Sequence, residues 1–332
     1  MRVLIVLPGA LGDVVRALPL LGRLRRAWPD ARLAWAVEPP SAPVLEGHPW
    51  LDERLVFPRH QGVRAFVPFL RRVRAGDFTL ALDLGRTIKS AVIARASGAS
   101  DRLGFAAADG REGGWLLATR RLPRQGTARS KLEQFLAFAD LLGVAPTPVE
   151  FGLAPTSAER HAARTLLAGL AAPVVAASVG SSCPSRRWVP ERTAAVLDAV
   201  AARAGGSAVL LGTAADAPFA AAVVRTMRGS ARDLVGRTTL RQLVAVLAEA
   251  SVVFGPDSGA LHLAAALGRP VVSLWGPTSA ARSTPFGSES HALQGPAPCA
   301  PCFLTRCPIG RVCMHGIAAD AVTAHALEAL AA

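Results

Sequence analysis

VVFGPDSGALHLAAALGRPVVSLWGPT, residues 252 to 278, carries a strand, a turn, a helix and a second strand in one short stretch. The apolar run Val252–Phe254 is cut off by Gly255-Pro256, a turn signal. Asp257-Ser258-Gly259 opens a helical pattern over Leu261–Leu267, and Gly268-Arg269-Pro270 stops it before the strand Val271–Trp275. Short apolar runs that alternate with helices imply parallel strands covered on both faces.

The alternation continues outward from this block. Upstream, strands are expected at Pro173–Ser178, Ala208–Leu211 and Asp233–Val235, with helices at Pro190–Ala204, Pro218–Met227 and Leu240–Ala248. Pro190 suits a first helical turn. The N-terminal half reads the same way. Its strands fall at Arg2–Leu7, Ala31–Val37, Arg54–Phe57 and Phe78–Leu82, and its helices run to Trp28 and over Val63–Arg74, Thr87–Ala96 and Lys131–Leu142. Pro146, Pro148 and Pro155 mark a linker. The fold class is therefore α/β: two facing Rossmann-like domains with parallel sheets and a cleft between them. They are expected at residues 1–155 and 156–316, with a terminal helix in 317–332. Ligands of such sheets sit at the carboxyl ends of the strands, so the loops there are where chemistry is expected.

Composition narrows the partners. The 332 residues suit two domains, and 51% hydrophobic with 18% charged residues excludes a disordered chain. A mean hydropathy of +0.33 invites a search for membrane spans, but no uncharged run of ~20 residues occurs. Met1-Arg2 is too short for a leader's basic region, and Asp13 and Arg16 interrupt its apolar core, so the chain is expected in the cytoplasm. The formal charge of +13 comes almost wholly from arginine, since Lys89 and Lys131 are the only lysines. Such an excess attracts phosphorylated substrates, anionic lipid or nucleic acid, although a compositional preference for arginine gives the same bias.

Three loops hold candidate chemistry. In PGALGDVVRALP, residues 8–19, Gly9 and Gly12 allow a tight turn and close approach to a ligand. Asp13 reads either as a helix cap or as a general base that deprotonates a sugar hydroxyl. In SVGSSCPSRRWVPER, residues 178–192, Ser181 and Ser182 with Arg186 and Arg187 suit an anion; a solvated arginine pair beside a packed Trp188 is the plain alternative. In the 252–278 block, the helix opened by Asp257, Ser258 and Gly259 offers free amides to a diphosphate, and His262 lies one turn on. A capping Asp257 and a core His262 would explain the helix start but not the whole polar cluster.

Together these loops resemble glycosyltransferase family 9, the bacterial lipopolysaccharide heptosyltransferases. The similarity spans nearly the whole chain. It includes GALGDVV, Arg111-Glu112 followed by KLEQFLAFADLLG, SRRWVPER, the GPDSG block and CAPCFLTRCPIGRVCM. The resemblance implies a GT-B fold, inverting transfer, no catalytic metal or other cofactor, and no nucleic-acid partner. The donor would be ADP-L-glycero-D-manno-heptose. The acceptor would be an anionic Kdo- or heptose-bearing lipid A core, reached by peripheral contact with the cytoplasmic face of the inner membrane. It makes Asp13 the base in an acceptor-side first domain. It places Ser181, Ser182 and Arg186 on the donor phosphates, Asp257 on the heptose hydroxyls, and Ser258, Gly259 and His262 along the diphosphate. Asp216 falls where the family usually has a glutamate near the nucleoside. Two positions depart from the family: arginine replaces the usual lysine at Arg186, and Ser130-Lys131 stands where a histidine is frequent.

Four of the five cysteines, Cys299, Cys302, Cys307 and Cys313, crowd into one Pro-rich segment. Their spacing suits a structural zinc or iron site, but a packed loop of reduced thiols is the favoured reading. The rival functions are a GT-B transferase using a UDP-sugar or another nucleotide sugar, and a non-catalytic nucleotide-binding protein of the same fold. A dinucleotide oxidoreductase is disfavoured because GALGDVV lacks the G-x-G-x-x-G spacing.

Overall fold

The computed structural model describes residues 1–58 and 62–331, so Ala332 of the expected terminal segment lies outside the described residues. The chain divides into two compact units, Met1–Leu153 and Ala154–Ala332.

The first unit contains β1 (Arg2–Val6), α1 (Leu11–Ala27), β2 (Arg32–Val37), β3 (Glu53–Val56), α2 (Gly62–Ala75), β4 (Leu80–Asp83), α3 (Ile88–Ala96), β5 (Asp101–Gly104), β6 (Arg120–Arg121) and α4 (Lys131–Leu141). The strands form one parallel sheet in the order β3-β2-β1-β4-β5-β6. This is the doubly wound order in which the chain reverses direction beside its first strand. Strand β1 sits at that reversal, with Val6 opposite Ala36 on one side and Asp83 on the other. Its residues Val3 to Val6 are fully buried because helices cover both faces, hence an unbroken apolar run rather than an alternating one. Ser130 caps α4 by accepting from the Glu133 amide, while the Glu133 carboxylate accepts the Ser130 N–H.

The second unit repeats the plan with α5 (Ser157–Leu166), β7 (Val174–Ser178), α6 (Pro190–Ala204), β8 (Ser207–Leu211), α7 (Ala217–Thr226), β9 (Ala231–Asp233), α8 (Leu240–Glu249), β10 (Val252–Pro256), α9 (Gly259–Ala266), β11 (Val271–Trp275), α10 (Ala280–Ser283), β12 (Ala292–Gln294), α11 (Val312–His315) and α12 (Ala319–Ala331). The sheet order is β12-β11-β10-β7-β8-β9, again all parallel, with the reversal between β7 and β10. Those two strands approach so closely at their ends that a Cβ on Gly255 would lie 2.2 Å from the Ser178 carbonyl oxygen. Only glycine fits there. Arg241 on α8 donates two 2.7 Å hydrogen bonds to Glu159 on α5. These bonds hold the Glu159 carboxyl down to about 2 and tie α5 to the body of the unit. The terminal helix α12 packs on α6 and on β10 and β11.

Several expected elements shift by one to three residues, and some went unforeseen. Strand β9 ends at Asp233 rather than spanning Asp233–Val235, and β4 reaches Asp83 instead of stopping at Leu82. The short strands β5, β6 and β12 and the helix α5 were not expected at all. The cysteine segment, expected as a packed loop, also contains one helical turn, α11.

Candidate active site

In the first unit, Asp13 lies in the first turn of α1, directly after β1. The capping reading does not hold, because the N-cap is Ala10 and no side chain caps this terminus. The Asp13 carboxylate instead accepts hydrogen bonds from Lys131 at 2.8 and 3.1 Å and from Arg16 at 2.6 Å. Burial pushes its pKa up, but the two cations outweigh burial and hold it below the ordinary carboxylate value. Asp13 is therefore an anion throughout the neutral range. Gly9 has no crowding that would demand glycine, since a Cβ would meet only Glu38 and Ser41, each at 3.9 Å. Gly12 is the second residue of α1.

The neighbouring strand end adds groups that the sequence reading passed over. Asp83 closes β4 beside β1 and is only 8% exposed, with the Gly85 amide donating to it at 3.0 Å. Burial pushes its carboxyl up to about 6 against the hydrogen bonds from Ser90 and Gly85. Arg86 follows in a left-handed conformation, with its guanidinium 3.7 Å from the centre of the Phe105 ring. Lys89 pairs with Glu38 at 2.7 Å. Both lysines of the chain are thus ion-paired beside the carboxyl edge of this sheet. Arginines of α1 are ion-paired as well: Arg23 with Asp140 at 2.9 Å, Arg25 with Asp52 at 2.5 Å, and Arg26 with Glu150.

In the second unit, the ends of β7, β10 and β11 bring most of the expected donor residues together. The hydroxyls of Ser178 and Ser258 lie 3.1 Å apart. Ser181 donates to the Asp257 carbonyl at 3.1 Å. The Asp257 carboxylate accepts from the Thr278 hydroxyl at 3.0 Å and pairs with Arg186 at 3.1 Å. Asp257 is consequently not a cap. The N-cap of α9 is Ser258, and its side chain makes no capping bond. With that hydroxyl turned to Ser178, the first amides of α9 lack a side-chain cap, the arrangement that accepts an anion. Gly259 is the first residue of that turn. Ser182 is exposed, whereas His262 is 4% exposed and enclosed in the helix packing.

Asp216 belongs to a different local arrangement. Its carboxylate accepts from the Thr213 amide and hydroxyl at 3.0 and 2.7 Å and from Arg187 at 2.9 Å. A Cβ on Gly180 would lie 2.4 Å from the same carboxylate, so glycine is what lets the 178–192 loop pass over it. Arg187, expected with Arg186 on an anion, pairs with Asp216 instead, a partnership that only the folded chain shows.

The cysteine segment braces this loop. Ser185 donates its amide to the Thr305 carbonyl at 3.2 Å and its hydroxyl to the Leu304 carbonyl at 2.6 Å. Arg311 donates to the Arg187 carbonyl at 2.8 Å. All five cysteines are free, and only Cys313 is buried. Burial and the neighbouring Cys299, Cys302 and Cys307 push the Cys313 thiol up, so it stays protonated at neutral pH.

The first doubly wound unit thus carries an ionised Asp13 after its first strand, and the second an uncapped helix beside serines and Arg186. The solved structures of an Escherichia coli ADP-heptose lipopolysaccharide heptosyltransferase II and of a Veillonella parvula family 9 glycosyl transferase share this fold. Their TM-scores are 0.81 and 0.86, each at 21% identity; coverage of this chain and theirs is 100% and 99% for the first, 99% and 97% for the second. Lipopolysaccharide heptosyltransferase 1 of Pseudomonas aeruginosa is 28% identical over 320 residues, covering 92% of this chain and 87% of its own. The model for glycosyltransferase family 9 (heptosyltransferase) matches residues 67–313, and the chain belongs to that family. No described helix is long and apolar enough to cross a membrane.

Asp83 makes a test of the first unit's electrostatics. A carboxyl raised in the fold costs stability once ionised. The cost is absent below about pH 4, grows as pH rises to about 6, and is complete above that. Asp83→Asn keeps an oxygen acceptor for the Gly85 amide and removes the charge. It should stabilise the protein by up to roughly 3 kcal/mol at pH 7, a gain that shrinks as pH falls toward 4. Urea unfolding at several pH values measures this. A gain independent of pH would show that Asp83 is not the group responsible.

Proposed function

We propose that the protein is an inverting heptosyltransferase that moves L-glycero-D-manno-heptose from ADP-heptose to the lipopolysaccharide inner core. The acceptor is a Kdo- or heptose-bearing lipid A at the cytoplasmic face of the inner membrane. The observation that carries this reading is the uncapped α9 terminus beside Ser178, Ser181 and Arg186, a site of the right chemistry for a nucleoside diphosphate. The names of the relatives, lipopolysaccharide heptosyltransferase 1 and ADP-heptose lipopolysaccharide heptosyltransferase II, favour the sugar and the acceptor.

In the reaction, an acceptor hydroxyl oxygen attacks the anomeric carbon of the donor. The new oxygen–carbon bond forms as the bond from that carbon to the diphosphate oxygen breaks. Asp13 takes the hydroxyl proton. The leaving diphosphate gathers charge, which Arg186, the Ser181 and Ser182 hydroxyls and the α9 amides from Gly259 onward stabilise. Arg186 keeps donors for this because its side chain is 26% exposed even while paired to Asp257. Asp257, oriented by Thr278, is assigned to the heptose hydroxyls. His262 supports the diphosphate turn from within the helix packing, and Asp216 acts near the nucleoside through Arg187. Gly9 and Gly12 keep the acceptor-side loop low in bulk.

Lys131 and Arg16 give the base an uncommon setting, since they keep Asp13 ionised while it waits for a proton. Asp13→Asn should lower kcat roughly 100-fold or more and leave ADP affinity nearly unchanged. Removing the cation in Lys131→Met should raise the Asp13 pKa, so that the acid limb of the pH–rate profile moves to higher pH in the variant than in the parent enzyme. Full activity of Asp13→Asn would exclude Asp13 as the base, whereas no turnover by the parent protein would favour the non-catalytic alternative.

For the donor site, Arg186→Ala should weaken ADP binding by about 1.5–3 kcal/mol, the worth of a charge-assisted hydrogen bond. Calorimetry reads this directly. Tighter binding of UDP than ADP would transfer the assignment to a UDP-sugar enzyme.

Membrane contact is assigned to the exposed face of α2, which carries Arg64, Val67, Arg71, Arg72 and Arg74. Arg64→Glu with Arg71→Glu should abolish sedimentation with anionic vesicles, and binding of the parent should fall steeply with salt. Sedimentation indifferent to salt and lipid charge would mark these as solvated arginines.

A further inference from the structure

Away from the strand ends that carry the transfer chemistry, one cluster of side chains meets the geometric needs of a metal ion. His291 closes a 3-10 turn, Glu289–His291, immediately before β12, while His325 and Glu328 lie on α12. The two histidine Nδ1 atoms are 3.2 Å apart, and the rings stand at 80° to each other. Glu328 Oε2 lies 3.8 Å from His325 Nδ1. All three ligand atoms fall within 4.8 Å of one another. We propose that His291, His325 and Glu328 bind one divalent transition-metal ion, with zinc the best fit, which clamps α12 to the edge of the second sheet.

The distances suit coordination. Two nitrogens bound to a tetrahedral zinc at 2.0–2.1 Å sit about 3.3 Å apart, so the histidines need almost no movement. His325 and Glu328 are three residues apart on one helix and share a face, which brings the carboxylate to the same point. A plain hydrogen bond between the imidazoles accounts for two of the three groups. It requires a proton on one Nδ1 only and leaves the carboxylate unused. A cation engages all three acceptors, and Glu328 offsets part of its charge. Two imidazoles and a carboxylate select a first-row transition ion over magnesium or calcium. The Glu328 side chain is 71% exposed, which leaves room for water as a remaining ligand.

The clamp has a structural purpose. Strand β12 is the edge of its sheet and pairs only with β11. The turn before β12 meets α12 at the histidine pair, so an ion there joins the last helix to the last strand. The site uses none of the residues assigned to donor or acceptor and is independent of the proposed reaction.

The four clustered cysteines are a rival sink for zinc, and the experiment must separate the two. Full-length protein stripped with chelator is titrated with Zn2+ by calorimetry, with circular dichroism confirming the fold of each variant. A variant with Cys299, Cys302, Cys307 and Cys313 all replaced by serine should still bind one equivalent. His291→Gln and His325→Gln, made in that background, should each weaken binding by at least roughly 10–100-fold, the scale for losing even an outer-shell partner. If the serine variant does not fold, Co2+ added to the parent protein gives the same answer. Its visible spectrum should contain a component without thiolate charge-transfer bands, and His325→Gln should remove that component. Zn2+ or Co2+ binding unchanged by both histidine substitutions, or absent once the thiols are gone, would overturn the proposal.

Discussion

The ends of β7 and β10 are pressed together, and nearly every polar group of the second unit's candidate site hangs from that contact. Gly255 runs so close to the Ser178 carbonyl that no side chain fits between them. This proximity lets Ser178 and Ser258 meet through their hydroxyls, which in turn withdraws Ser258 from capping α9. A helix terminus that gives up its own cap keeps its amides for something else. Asp257, one residue earlier, is held by Thr278 and Arg186 rather than by that helix. The topology thus does more than place loops at a crevice; it decides which side chains are spent on structure.

The first unit solves a different problem at the same topological position. A carboxylate buried after β1 would, left alone, take up a proton. Lys131 arrives from α4, a helix far along the chain, and Arg16 from the next turn of α1; between them they keep the charge. Asp83, on the adjoining strand, has no such cation and goes the other way. Carboxyls at two neighbouring strand ends therefore have pKa values shifted in opposite directions, because Lys131 and Arg16 face one of them and not the other.

The fold was legible because buried parallel strands write themselves as apolar runs, and both sheets have such strands at their centres. The edges were not. Strand β6 is two exposed arginines, β5 carries Asp101 and Arg102, and β12 has three residues, so none supplies a period to read. Helix α5 was overlooked although Thr156 and Glu159 form a capping box that the sequence displays. Among site residues, those in the glycine-rich and serine-rich loops could be named from local composition. Their partners could not. Nothing near Asp13 announces Lys131, and nothing near Asp216 singles out Arg187 over Arg186, since those pairings exist only once the chain is folded.

The cysteine segment shows how such a partner can be hidden in a conspicuous motif. Four thiols draw the eye toward metal or disulfide chemistry, yet what the segment contributes in this fold comes largely from its backbone. The carbonyls of Leu304 and Thr305 accept from Ser185, and Arg311, itself in a left-handed conformation, reaches the Arg187 carbonyl. The Phe303 amide donates to the Pro277 carbonyl, at the turn that also carries Thr278. The segment therefore grips the 178–192 loop on one side and the end of β11 on the other. Buried Cys313 anchors it beneath, packed against Gly276 where a Cβ would lie 2.8 Å from its sulfur. A loop with so little regular structure of its own can be held by such contacts. Because those contacts run to the chain neighbours of Arg186 and Thr278, the shape of the proposed anion site depends on a segment that need not touch the anion.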